Sequence, residues 1–266
     1  MTPRILRHLA RLDPVLGGVI RAAGNRRFVI EPECEPFQTL AQAIAHQQLN
    51  GTAANTILGR LIASCGCGTF PTPHQVLAAP EVQLRQAGFS RAKTAALKDL
   101  AAKALGGAVP HRRALETLDD EAIIAQLTQV RGVGRWTVEM LLIFQLGRPD
   151  VLPVDDFGVR AGFRAAYGLR ELPHPKVLAA FGERWKPYRS TAAWYLWRAL
   201  ELERSGGLPE PAERVRLPRL RVRRRRPAKT AKAGAGASSA RPRRSGARTR
   251  ARRPPAAPPR APASRR

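Results

Sequence analysis

The stretch that most restricts this chain is Leu127-Thr-Gln-Val-Arg-Gly-Val-Gly-Arg-Trp136. Ile123, Ile124 and Leu127 give the segment before the glycines one apolar face, and Thr117 or Asp119 is placed to cap its start. Trp136, Met140, Ile143 and Phe144 recur at i, i+4, i+7 and i+8, the spacing of a second helix with a buried side. Between the two helices, Gly132 and Gly134 predict a turn too tight for side chains, where the backbone can take positive φ and approach a ligand. The second helix then begins with free amides pointing out of its N-terminus, which suits an anion such as phosphate. By itself such a helix–hairpin–helix positions a nucleic-acid backbone and reads no sequence.

The rest of the chain follows the same helical periodicity. Ile5, Leu9 and Leu12 share one face up to a break at Asp13-Pro14, and a short helix follows through Val15–Ala22. Phe28-Val-Ile-Glu-Pro32 reads as extended. From Phe37 a helix runs through Leu40, Ala41, Ile44 and Ala45 to the neighbourhood of Asn50-Gly51, and Thr52–Ala63 makes another. Further helices are predicted after Thr72-Pro73, over Arg91–Lys103, from about Asp155 to Tyr167, over Lys176–Trp185 and over Ser190–Arg204. The expected fold class is all-α over residues 1–207, followed by a disordered tail over 208–266.

Charge separates these two parts. The chain carries 46 Lys and Arg against 20 Asp and Glu. From Pro211 onward there are 20 basic residues and one acid, Glu213. Runs such as Arg223–Arg226 and Pro-Pro-Ala-Ala-Pro-Pro lack aliphatic core formers and cannot offset the entropy of folding. A polyanionic partner, most plausibly nucleic acid, fits this balance. The tail reads either as an electrostatic arm for DNA or as a solvated extension without a dedicated role. Cys34, Cys65 and Cys67 are too few for a disulfide framework, and Cys65-Gly-Cys67 lacks the usual metal-ligand spacing. With no apolar run of about 18 residues, a soluble, reduced, cytoplasmic protein with no membrane partner is expected.

Pro153-Val-Asp155-Asp156 changes what the hairpin means. Asp156 lies 22 residues beyond Gly134. One aspartate at a helix start is an ordinary cap. A second negative charge beside a phosphate-binding turn repels DNA, so a module needing only affinity has no use for it. An enzyme that builds positive charge on a sugar does.

With these residues together, Leu-x-x-Val-x-Gly-Val-Gly-Arg-Trp-Thr and Pro-x-Asp-Asp resemble the helix–hairpin–helix DNA glycosylase superfamily, and most closely its 3-methyladenine DNA glycosylase II branch. Gln47-Gln48, Phe70-Pro-Thr-Pro and Glu183-Arg-Trp-Lys-Pro-Tyr-Arg-Ser190 also match that branch, so the resemblance covers about residues 35–205. It implies two helical subdomains with the active-site cleft between them, and a damaged nucleotide flipped out of double-stranded DNA into a pocket. It implies a monomer, associated with the nucleoid in a bacterium, that hydrolyses the N-glycosidic bond of alkylated purines in base excision repair.

The resemblance also implies roles residue by residue. Asp156, followed by Phe157-Gly158-Val159, matches the catalytic carboxylate, with Asp155 as cap or orienting neighbour. Trp136 stands where lyase-active relatives carry a Schiff-base lysine, which implies base removal without strand cleavage. Its ring also suits a cationic alkylated purine. Trp197 resembles a second pocket aromatic, while Met140 replaces an aromatic found in some relatives and leaves the substrate range open. Gly132, Val133, Gly134, Arg135 and Thr137 match the DNA-gripping hairpin, and Gln47 and Gln48 match residues facing the minor groove. In the Gly88-Phe89-Ser90-Arg91 turn, Phe89 or Ser90 would be the wedge that fills the vacated stack. No cofactor is required, although the carbonyls of Thr128, Val130 and Val133 match a structural site for sodium or potassium. An iron–sulfur cluster needs four cysteines late in the chain, and none follows Cys67. A glycosylase for other damaged or deaminated bases, or a non-catalytic DNA-binding protein of the same fold, are the alternative readings.

Overall fold

Proline sets the first helix starts in the computed structural model, which describes residues 2–218 apart from 25, 27, 31–33 and 214. Pro3 opens α1 (Pro3–Leu12) and Pro14 opens α2 (Pro14–Ala23), at positions where a missing N–H is no loss. Between them Asp13 caps α2 by accepting the Leu16 amide at 3.0 Å. Its other oxygen accepts the Tyr167 hydroxyl at 2.5 Å and the Trp185 indole N–H at 2.9 Å. A single buried carboxylate therefore ties the start of the chain to its second half.

Among the described residues the chain forms thirteen α-helices and no strand. Two cores organise them. The first is built by α3 (Pro36–His46), α4 (Gly51–Cys65), α5 (Pro73–Ala78), α6 (Glu81–Ala87), α7 (Arg91–Leu105), α8 (Arg112–Glu116), α9 (Asp120–Leu127) and α10 (Arg135–Met140). The second joins α1 and α2 to α11 (Phe157–Ala166), α12 (Pro175–Gly182) and α13 (Arg189–Ser205). Phe28, Phe144 and Trp197 pack against both cores and mark the seam between the two helical subdomains. Phe144 meets Phe28 edge-on at 5.4 Å and lies 5.7 Å from Trp197.

Local differences from the sequence reading have identifiable causes. α3 stops at His46 because Lys93 Nζ takes the carbonyls of Ala45 and Gln47, at 2.7 and 2.6 Å, and Gln48 then turns at φ +58°. α4 restarts at Gly51 under the Asn50 side chain, which accepts the Ala53 amide. After Met140 the helix widens into a π-helical turn over Leu141–Gln145. Apolar spacing reads almost alike for the two forms, so the sequence does not distinguish them.

α11 and α13 cross so closely that a Cβ on Gly162 would sit 1.7 Å from the Leu196 carbonyl oxygen. This crossing sets the start of α11 beside Trp197. Beyond Gly207, Leu208, Val215 and Leu217 pack against the second core, and the rest of the expected tail lies outside the described residues. No helix among the described residues is long and apolar enough to cross a membrane.

Candidate active site

The hairpin is fastened from three sides. Asp119, not Thr117, caps α9 by accepting the Ala122 amide at 2.8 Å. Gly132 holds φ +78°, a left-handed conformation that favours glycine, and its carbonyl accepts the Gln47 side-chain amide at 2.8 Å. The Arg131 amide donates to Asp99 at 2.7 Å. Burial pushes the Asp99 carboxyl up, but the Arg131 amide and Lys103 together draw it below the usual carboxylate range. Gly134 differs from Gly132: its φ of −98° suits any residue, and a Cβ there meets nothing within 4 Å. Its surroundings are open toward solvent, at the N-terminus of α10.

Asp156 is held by donors from three helices. It caps α11 through Oδ1, which accepts the Val159 amide at 2.6 Å. The same Oδ1 accepts the Trp197 indole N–H at 2.8 Å, from α13. Oδ2 accepts the Trp136 indole N–H at 2.7 Å, from α10. Trp136 belongs to the first subdomain and Trp197 to the seam, so the carboxylate sits where the two subdomains meet. Gly158 is required here: a Cβ would lie 2.7 Å from Trp197 Cδ1 and 3.1 Å from Asp156 Oδ1. In the sequence, an isolated glycine in an otherwise amphipathic helix start is the signal for that close approach.

A largely apolar cavity of about 550 Å³ opens beside this carboxylate. Trp136, Thr137, Met140 and Phe144 line one side, and Thr39, His46, Gln47 and Gln48 the other. Trp136 is half exposed there, with its ring as wall and its N–H committed to Asp156. Sequence reasoning had no signal for Thr39, His46, Phe144 or Gln145 as cavity residues, because α3 and the π-helical turn meet only in three dimensions.

Several expected site residues are placed otherwise. Trp197, Asp155 and Asp156 are all outside the cavity lining, and Asp156 meets the cavity through Trp136, which lines it and donates to Oδ2; Asp155 is exposed and the cap is Asp156 itself. Phe89 is 2% exposed in the first core and cannot act as a wedge as it stands. Ser90 caps α7 through the Lys93 amide, and Arg91 is exposed beside it. Val133 is buried and Thr137 faces the cavity, so neither side chain is offered to a duplex. Gln47 is occupied by Gly132, whereas Gln48 is exposed at the cavity rim.

The Arg135 guanidinium is not free for DNA either. It grips both oxygens of Glu121 and donates Nε to Glu139 at 2.9 Å. Glu139 is 4% exposed, and burial pushes its carboxyl up to about 7 against the pull of Arg135. These ion pairs join α9 to α10 and brace the hairpin from behind.

Comparison with known proteins agrees with this geometry. DNA-3-methyladenine glycosylase 1 of Schizosaccharomyces pombe is 39% identical over 196 residues, covering 73% of this chain and 86% of that protein. The structure of the S. pombe 3-methyladenine DNA glycosylase Mag1 in complex with abasic DNA superposes with a TM-score of 0.66 at 38% identity, over 73% of this chain and 95% of that one. A DNA-3-methyladenine glycosidase from Bacillus halodurans gives a TM-score of 0.69 at 33% identity, over 77% and 92% of the two chains. The family model that matches, over residues 41–187, spans the hairpin, Trp136 and Asp156. The chain belongs to the HhH-GPD superfamily of base excision DNA repair proteins.

Proposed function

We propose that this protein is a monofunctional DNA glycosylase that hydrolyses the N-glycosidic bond of alkylated purines, of the 3-methyladenine type, in double-stranded DNA. The observation that carries the reading is the Asp156 carboxylate, held by two indoles beside an aromatic-walled cavity. The cavity volume lies within the range of small-molecule sites and is ample for one extruded base. When the C1′–N bond breaks, its electron pair leaves with the base, which neutralises a cationic alkylated purine. Positive charge appears on the sugar, and the fixed carboxylate stabilises it. Water then adds to C1′ and loses a proton to Asp156 or to solvent. The Trp136 ring attracts a cationic base by about 0.5–2 kcal/mol.

The hairpin supplies the grip. Gly134 opens on space free of side chains at the N-terminus of α10, as a phosphate requires, while Gly132 lies against Ala96, 3.4 Å from where a Cβ would stand. The Thr128 and Val133 carbonyls accept no hydrogen bond among the described residues, while Val130 accepts one from Val133. Oxygens of this kind suit a sodium or potassium ion with a structural role and leave the chemistry to Asp156. Trp136 offers no amine for a Schiff base, and Lys93 near the rim is held by two carbonyls, which supports hydrolysis without lyase activity. The protein acts as a monomer wherever the cell keeps its DNA, with the basic residues beyond Leu217, which packs on the second core, as an electrostatic arm.

Methylated duplex DNA treated with wild type and with Asp156→Asn tests this. Base release by wild type, reduced by about a hundredfold or more in the variant with duplex binding retained, is the expected result. No release by wild type from any alkylated duplex would leave a DNA-binding protein of this fold. A borohydride-trapped DNA adduct would contradict the absence of lyase chemistry. Deleting residues 219–266, which keeps Val215 and Leu217 on the second core, should flatten the salt dependence of binding, and an unchanged slope would show the arm idle.

A further inference from the structure

We infer that Trp197 is a positioning residue for Asp156, and that together with Gly158 it dedicates Oδ1 to the fold so that Oδ2 alone meets the reaction. The inference rests on Asp156 being the catalytic carboxylate. It departs from the expectation that Trp197 is a wall of the base pocket.

A carboxylate oxygen offers about two acceptor positions. Oδ1 fills both, with the Val159 amide at 2.6 Å and the Trp197 indole at 2.8 Å. Oδ2 fills one, with the Trp136 indole at 2.7 Å, and keeps the other. The oxygen with a vacant position is also the one bonded to Trp136, which lines the cavity, whereas Trp197, like Asp156 itself, stands outside the lining. Trp197 is half-buried against both cores and packs on Phe144, so it resists rotation and fixes the plane of the carboxylate. Gly158 allows this, because any Cβ there would fall 2.9 Å from the indole nitrogen. The two tryptophans therefore have different work. Trp136 touches the oxygen that reacts and forms the cavity wall. Trp197 acts only through the oxygen that does not react.

Trp197→Phe keeps a ring of similar shape and removes the N–H. Single-turnover release of bases from dimethyl-sulfate-methylated duplex should fall about ten- to a hundredfold, the rate equivalent of a hydrogen bond to a charged group. Duplex affinity should be unchanged. The loss should fall on the maximal single-turnover rate, with the DNA concentration that gives half that rate unchanged, because the carboxylate is misplaced while the base still enters the cavity. Gly158→Ala, which displaces the indole while retaining it, should show the same split and decides the matter if Trp197→Phe fails to fold. A wall that only stacks on the base predicts otherwise: Phe substitutes well and the maximal rate is kept. That result in Trp197→Phe, or an unchanged maximal rate in a folded Gly158→Ala, overturns the inference. Activity retained by Asp156→Asn would instead overturn the assignment of the carboxylate on which it rests.

Discussion

Asp13 and Asp156 are built from nearly the same parts and sit in opposite surroundings. Each caps a helix through Oδ1, and each accepts three hydrogen bonds, at least one from a tryptophan indole. Asp13 is 2% exposed, and its bonds run entirely into the second core. Asp156 is half-buried at the seam, with one of its donors forming a cavity wall. A capped, indole-bonded aspartate is therefore not in itself a reactive one. Partial exposure and a donor that lines a cavity separate the two, together with an oxygen that has room for one more partner. The effect of Asp13 on its neighbours fits its structural role: burial, then the charge of Asp13, raises the Tyr167 hydroxyl well above its ordinary range.

The largest expected effect separates them outright. Asp156→Asn keeps an oxygen able to cap α11, so base release should collapse while thermal stability stays near wild type. Asp13→Ala should do the reverse. It removes a cap and leaves the Tyr167 hydroxyl and Trp185 N–H unpaired in the core, for a loss of about 3–5 kcal/mol in chemical denaturation. Its turnover below the unfolding transition should be close to wild type. A turnover loss in Asp13→Ala as large as in Asp156→Asn would break the distinction.

How legible each carboxylate was follows from how local its partners are. The hairpin, Trp136 and Asp156 could be found because glycine spacing, helical periodicity and an Asp-Asp before an apolar run all occur within a short window. Asp13-Pro14 was legible as a helix break, but not as an anchor, since its other donors are Tyr167 and Trp185. For the same reason the sequence could not show that α1 and α2 join the C-terminal helices. Arg135 was expected on DNA because it follows the glycines; its commitment to Glu121 and Glu139 depends on how α9 meets α10. Phe89 shows the limit most plainly. Its turn has the composition of an exposed loop, yet Ile57 of α4 lies against Gly88 and Phe89 is buried in the first core, and a core needs large side chains wherever they come from.

Glu139 is a third carboxylate, buried like Asp13 but paired at one side only, and it sharpens the comparison. Its folded-state value of about 7 stands above the ordinary 4.5 of a glutamate, because burial outweighs Arg135. The native state therefore binds the proton more tightly than the unfolded chain between those two values. It follows that stability from this group is fully present below pH 4.5, declines as pH rises toward about 7, and is absent above. Glu139→Gln removes this dependence while keeping a hydrogen-bond acceptor for Arg135. The variant should match or trail wild type near pH 5 and gain on it by about 1–3 kcal/mol near pH 8. Paired urea titrations at the two pH values measure that difference. If the two proteins keep a constant gap, the Arg135 ion pair outweighs burial, and Glu139 behaves as a charged strut between α9 and α10. Burial alone would then not decide how a carboxylate here behaves, and the contrast between Asp13 and Asp156 would rest on the cavity alone.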